Sequence, residues 1–208
     1  MTFAMAERRR LAELLLELGP DAPTLCEGWT TRDLAAHLWV REHRPDAAAG
    51  MFLPPASGHL RNVTADVLGG DYAQTVRDWA AGAPRWNPMH WLDRAVNTAE
   101  NFVHHEDVRR ADGTARPRDF SRVVDDELWA AVGRMGTMLL RSSGKPVILT
   151  VPGRTPVVAA RGRGVAEQGD DVVRVTGEPG ELLLWAFGRD AVDVEIGGDE
   201  AAVNRSSV

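Results

Sequence analysis

Apolar residues recur at helical spacing through the first two-thirds of the chain and at strand spacing through the last third. Leu11, Leu14, Leu15 and Leu18 mark a helix over residues 4–18, and Gly19-Pro20 supplies its stop. A polar turn ends in Gly28-Trp29-Thr30-Thr31. Thr30 or Thr31 can cap a second helix that runs to about residue 44, with Asp33 near its positive end and Pro45 after it. Residues 47–59 are rich in Ala, Pro and Gly and read as a loop with a short helical piece. A third helix is expected over 64–81, interrupted near Gly69-Gly70, a fourth over 88–110 and a fifth over 119–141.

After Ser142-Ser143-Gly144 the pattern changes. Residues 146–151 and 155–160 are short β-branched runs around Pro152-Gly153, which is a hairpin signal. Residues 172–175 and 192–196 are further strand candidates, and 178–187 is a short helix with Pro179 near its start and Gly188 at its end. The pattern predicts an α+β protein: an antiparallel helical bundle over 1–143 and a small α/β domain over 144–208.

Charge and cysteine content narrow the function classes. The formal net charge is −6 over 208 residues, which does not suit a nucleic-acid backbone. Arg8-Arg9-Arg10 and Arg109-Arg110 are the dense basic spots and read as solvated helix faces. Cys26 is the single cysteine, so no intrachain disulfide can form. No signal peptide and no membrane-spanning run is evident, and the expectation is a soluble cytoplasmic protein.

Candidate chemistry sits on two of the predicted helices. Glu100 and His104 are four apart, about 40° around a helix axis and one turn from each other. They border an apolar arc made by Leu92, Ala95, Val96, Ala99, Phe102 and Val103, whereas His105 falls with Arg94 and Asn101 on the side where solvent is expected. A carboxylate at a core margin is costly unless paired, and a metal ion would use both groups as ligands. The competing reading is a Glu–His hydrogen bond within the helix. His37 shares its helical face with Leu34, Leu38 and Val40, so it also points inward, either as a satisfied core histidine or as a third ligand. Two imidazoles and one carboxylate would form an open three-ligand site suited to zinc, with nickel, iron and cobalt chemically possible.

At these residues the chain resembles the mycothiol-dependent maleylpyruvate isomerase family, within the DinB-like metal-binding helical bundles. Gly28-Trp29-Thr30-Thr31-Arg32-Asp33-Leu34-Ala35-Ala36-His37-Leu38 is similar to the first signature of that family, and Glu100-Asn101-Phe102-Val103-His104 to its Glu-x-x-x-His helix. The stretch from Val175 to Arg189 resembles the small C-terminal domain, likened to sterol carrier proteins, of many members. The wording Leu-Cys-Glu-Gly-Trp and His-His-Glu-Asp-Val-Arg-Arg is that of an actinobacterial branch. The resemblance implies that His37, Glu100 and His104 converge on one divalent ion, and that a low-molecular-weight thiol such as mycothiol is co-substrate.

The function this implies is isomerisation or S-transfer on a small electrophilic molecule. Arg41, one turn after His37, is the candidate anchor for a substrate carboxylate. The alternative is a non-catalytic protein in which the metal is structural, and metal-assisted hydrolysis ranks below both. Small molecules are the expected partners, with no nucleic acid and no membrane. Cys26 reads as an incidental thiol, His90 as a packing or capping residue, His59 as exposed, and His43 as too far around its helix to share an ion with His37. Trp86 and Trp91 are the candidates for an aromatic pocket near the metal.

Overall fold

A computed structural model of the protein describes residues 2–84, 94–160 and 171–205. The expectations placed on His90, Trp86 and Trp91 and on the start of the fourth helix lie outside the described residues. The chain divides into two compact units, Met1–Arg94 with His104–Asp112, and Ala95–Val103 with Gly113–Val208.

The first unit is helical: α1 (Phe3–Leu18), α2 (Thr31–His43), the short α3 (Pro45–Ala48), α4 (Ser57–Leu68) and α5 (Tyr72–Ala80), together with the end of α6 (Arg94–Arg109). Gly19 closes α1 at φ +77°, with its N–H bonded to the Leu15 carbonyl. Asp33 caps α2 by accepting from the Thr30 amide (2.9 Å) and hydroxyl (2.7 Å). The interruption expected within 64–81 divides that stretch into two helices, the first of which already starts at Ser57. The break falls at Gly69-Gly70, and Asp71 then caps α5 through the Gln74 amide. Leu11, Leu15, Leu34, Leu38, Val76, Trp79 and Val108 form the apolar core of this unit.

The second unit places α7 (Arg122–Ala131), a π-helical turn (Val132–Gly136) and α8 (Thr137–Leu139) with a four-stranded sheet and α9 (Pro179–Ala186). Strands β1 (Val147–Thr150), β2 (Val157–Ala159), β3 (Val173–Gly177) and β4 (Val194–Gly197) lie in the order β2-β1-β3-β4. Residues 113–143, which the hydrophobic pattern groups with the preceding helices, fall in this unit, where α7 packs on α9 and α8 on β2. The expected hairpin pairs β1 with β2, β1 and β3 run parallel, and β4 closes the edge antiparallel to β3. Leu182, Leu183, Leu184, Ile148, Leu149 and Val173 are fully buried. Gly180 permits a close approach here, since a Cβ on it would stand 2.9 Å from Cζ of Phe102.

Candidate metal centre

Two helices carry the candidate ligands. On α2, Leu34, Leu38 and Val40 are fully buried and His37 shares their side of the helix, half-buried. On α6, Glu100 and His104 are buried one helical turn apart. One ligand atom from each of His37, Glu100 and His104 lies within 4.8 Å of the others. The His37 and His104 rings meet edge to face with centroids 5.4 Å apart, and the Trp29 ring lies 5.2 Å from His37 at a tilt. One carboxylate oxygen and two imidazole nitrogens at this spacing fit a single divalent ion, so the donor set is chemically suited to the metal that the sequence resemblance implies.

Asp107 supplies the support that such a histidine needs. Its Oδ2 accepts from Nδ1 of His104 at 3.0 Å, inside a fully buried environment. A carboxylate at this distance favours the tautomer with the proton on Nδ1, which puts the ring's lone pair on Nε2. The loop from Gly19 to Thr30 then binds Asp107 twice. The Leu25 amide donates to its carbonyl at 2.9 Å, and the Cys26 thiol donates to Oδ2 at 3.3 Å. Asp107 was readable from sequence through its spacing, because His104-x-x-Asp107 puts both groups on one helix face. Cys26 carries no such signal, since 81 residues separate it from its partner.

Several expectations need correction. His105 does not face solvent. It is buried, and its Nδ1 lies 2.8 Å from Oε2 of Glu7, which α1 brings over that side of α6. The basic runs are not simply solvated faces either. Arg110 is buried against Glu106 at 2.6 Å, and Arg8 bonds the Glu42 carboxylate at 2.5 and 2.7 Å. In each case a carboxylate far along the chain, or one turn back, covers a charge that local periodicity assigns to water. Arg41 is also buried, with Nη1 3.9 Å from Oε1 of Glu42. His43 turns away from His37, stacking on Trp39 and sharing its Nδ1 with the Trp39 carbonyl at 3.1 Å. His59 is exposed as expected, 2.7 Å from Asp46.

No protein-family model matches the chain, and a search of curated proteins also gives no match. Among solved structures, the chain is similar to the mycothiol-dependent maleylpyruvate isomerase. The TM-score is 0.61 at 19% identity, over 98% of this chain and 94% of that one. A histidine-to-alanine mutant of that isomerase aligns with a TM-score of 0.62 at 18% identity over the same shares. At this identity the likeness establishes the fold. That fold is the one the sequence resemblance implies. Among the described residues, no helix is long and apolar enough to cross a membrane.

Proposed function

We propose that the protein is a metal-dependent enzyme that uses a low-molecular-weight thiol such as mycothiol to isomerise, or transfer sulfur to, a small electrophilic substrate. The observation that carries this reading is the convergence of His37, Glu100 and His104 within 4.8 Å, from two helices far apart in sequence. His37 and His104 each offer an imidazole lone pair and Glu100 offers a carboxylate oxygen, a set that zinc matches and that leaves a fourth position open. When bound, the ion supplies Lewis acidity that makes a thiol nucleophilic at neutral pH. Asp107 orients His104 and favours the tautomer with its proton on Nδ1. Trp29 shields one side of His37 from water. Arg41, one turn beyond His37, is the proposed anchor for a substrate carboxylate.

The fold shared with a mycothiol-dependent isomerase supports the choice of thiol. The test begins with elemental analysis of protein purified without a polyhistidine tag, alongside His37→Ala. Stoichiometric zinc that disappears in the variant supports the site. The loaded protein is then given mycothiol and a panel of electrophiles, maleylpyruvate included. Absence of turnover together with absence of thiol binding by calorimetry overturns the enzymatic reading. If chelation then lowers the melting temperature steeply, the ion is structural instead.

A further inference from the structure

A second group of donors stands beside the first and shares His104 with it. One ligand atom from each of Cys26, His104 and Asp107 lies within 4.8 Å of the others. Oδ2 of Asp107 is 3.3 Å from Sγ of Cys26 and 3.0 Å from Nδ1 of His104. Donor atoms on one tetrahedral ion stand about 3.3–3.7 Å apart, so these separations are already close to the edges of a coordination shell. His104 and Asp107 are buried, Cys26 is partly exposed, and the thiol is therefore the side from which an ion enters.

We infer that Cys26, Asp107 and His104 form a second metal position, selective for thiophilic ions such as cadmium or copper(I), whose filling disables the first. The chemistry is an exchange of protons for an ion. In the metal-free cluster the S–H of Cys26 and the N–H of His104 both point at one carboxylate. A thiophilic cation takes the place of those two hydrogens. The thiol proton leaves to solvent, and the ring proton moves from Nδ1 to Nε2. A neutral imidazole has one lone-pair nitrogen, so His104 then has nothing to offer an ion held by His37 and Glu100. Softness separates the two positions: the triad is all nitrogen and oxygen, while the second group has a thiolate. The site itself does not depend on the proposed reaction, and only its inhibitory consequence rests on the reading of the triad.

The experiment uses cadmium as the probe. His37→Ala removes a triad ligand and leaves the second group whole. Cadmium should give this variant an ultraviolet thiolate-to-cadmium band and slow alkylation of Cys26 by iodoacetamide by about tenfold or more. Both effects should be lost in His37→Ala/Asp107→Asn, which keeps the thiol but not the carboxylate. In the unsubstituted protein loaded with zinc, cadmium should release that zinc, and in Cys26→Ser it should not at the same concentration. An unchanged alkylation rate with no band overturns the site. So does a band of equal strength in the Asp107→Asn background, which would mean that the thiol alone binds the ion. Failure of the proposed function looks different: the unsubstituted protein never retains zinc, while the cadmium band of His37→Ala stands.

Discussion

The two units bury different kinds of matter. Around the sheet, the interior is made of Val147, Ile148, Leu149, Val173, Val175 and the run from Leu182 to Ala186, with Glu181 and Arg189 the buried charges of α9 and the turn after it. In the helical unit, Glu7, Arg41, Glu42, His104, His105, Glu106, Asp107 and Arg110 are all buried. Removing apolar surface from water stabilises a fold directly. Removing charge from water costs free energy that a partner only partly returns. A chain that needed α6 only as a strut would be served better by the first kind of interior. The difference teaches that the end of α6 is organised around ionisable groups, and that the candidate ligand His104 sits in that organised stretch.

The largest expected effect tests whether those charges depend on one another. Glu106 accepts from Arg110 at 2.6 Å and from Arg109 at 2.6 and 2.7 Å, all at the end of α6 and the turn that follows it. Glu106→Leu removes the buried carboxylate that both Arg109 and Arg110 bond and should cost about 3 kcal/mol or more in urea denaturation. Adding Arg110→Met should restore most of that loss, because an apolar pair needs no desolvation penalty. A single variant as stable as the parent would dissolve the contrast between the two units.

Next comes the support of His104. Asp107→Asn keeps the shape but gives up the charge that favours the Nδ1–H tautomer, and zinc affinity should fall about 10–100-fold by competition with a chelating dye. His105→Ala is the matching control on the same helix. It removes a buried imidazole from Glu7 and should lower stability while leaving zinc stoichiometry intact. If the two variants lost zinc equally, the distinction between the adjacent histidines would be gone.

The sheet unit should respond to volume rather than to charge. Gly180→Ala puts a methyl group 2.9 Å from Cζ of Phe102, which is itself buried, and should cost about 1–3 kcal/mol. Phe102→Leu in the same background makes room and should return part of it. Measured by thermal unfolding, an Ala variant without loss would mean that α6 and α9 approach less closely than the backbone indicates.

These contrasts also show what was legible in the sequence. Periodicity located nearly every helix and strand, since the helix period and the strand period survive averaging over several residues. It also identified His37, Glu100 and His104 as inward-facing, and the structure brings the three together. It misread His105 because the helix face of that residue is polar in sequence. The face is covered by Glu7 from α1, a contact 98 residues away that no local window contains. The same holds for Arg8, whose partner Glu42 is 34 residues distant. Arg110 is a different failure. Its partner Glu106 is one turn back and was readable, but a charged pair that spacing predicts does not announce whether it is buried. The packing of α7 on α9 was illegible for a third reason: an amphipathic face records that it packs, not what it packs against.

The smallest effects distinguish the units by pH, and they run in opposite directions. In the helical unit, Asp46 accepts from Arg44 at 2.9 and 2.7 Å and from His59 at 2.7 Å, which holds its carboxyl well below the ordinary 3.8. A carboxyl with a depressed folded value contributes stability above its unfolded value and loses it as pH falls through the folded one. In the sheet unit, Lys145 lies 3.1 Å from Asp171 and 3.2 Å from Asp199, which raises its ammonium above the ordinary 10.5. That contribution is whole below the unfolded value and fades as pH rises through the folded one. Both clusters are exposed, so added salt should shrink both. Stability of Asp46→Asn relative to the parent should therefore converge toward the acid end, and that of Lys145→Met toward the alkaline end. Denaturation at low, neutral and high pH, repeated in high salt, reads both curves. If the two variants converged at the same end, the exposed charges would be reporting a global change in net charge and not the local partners named here.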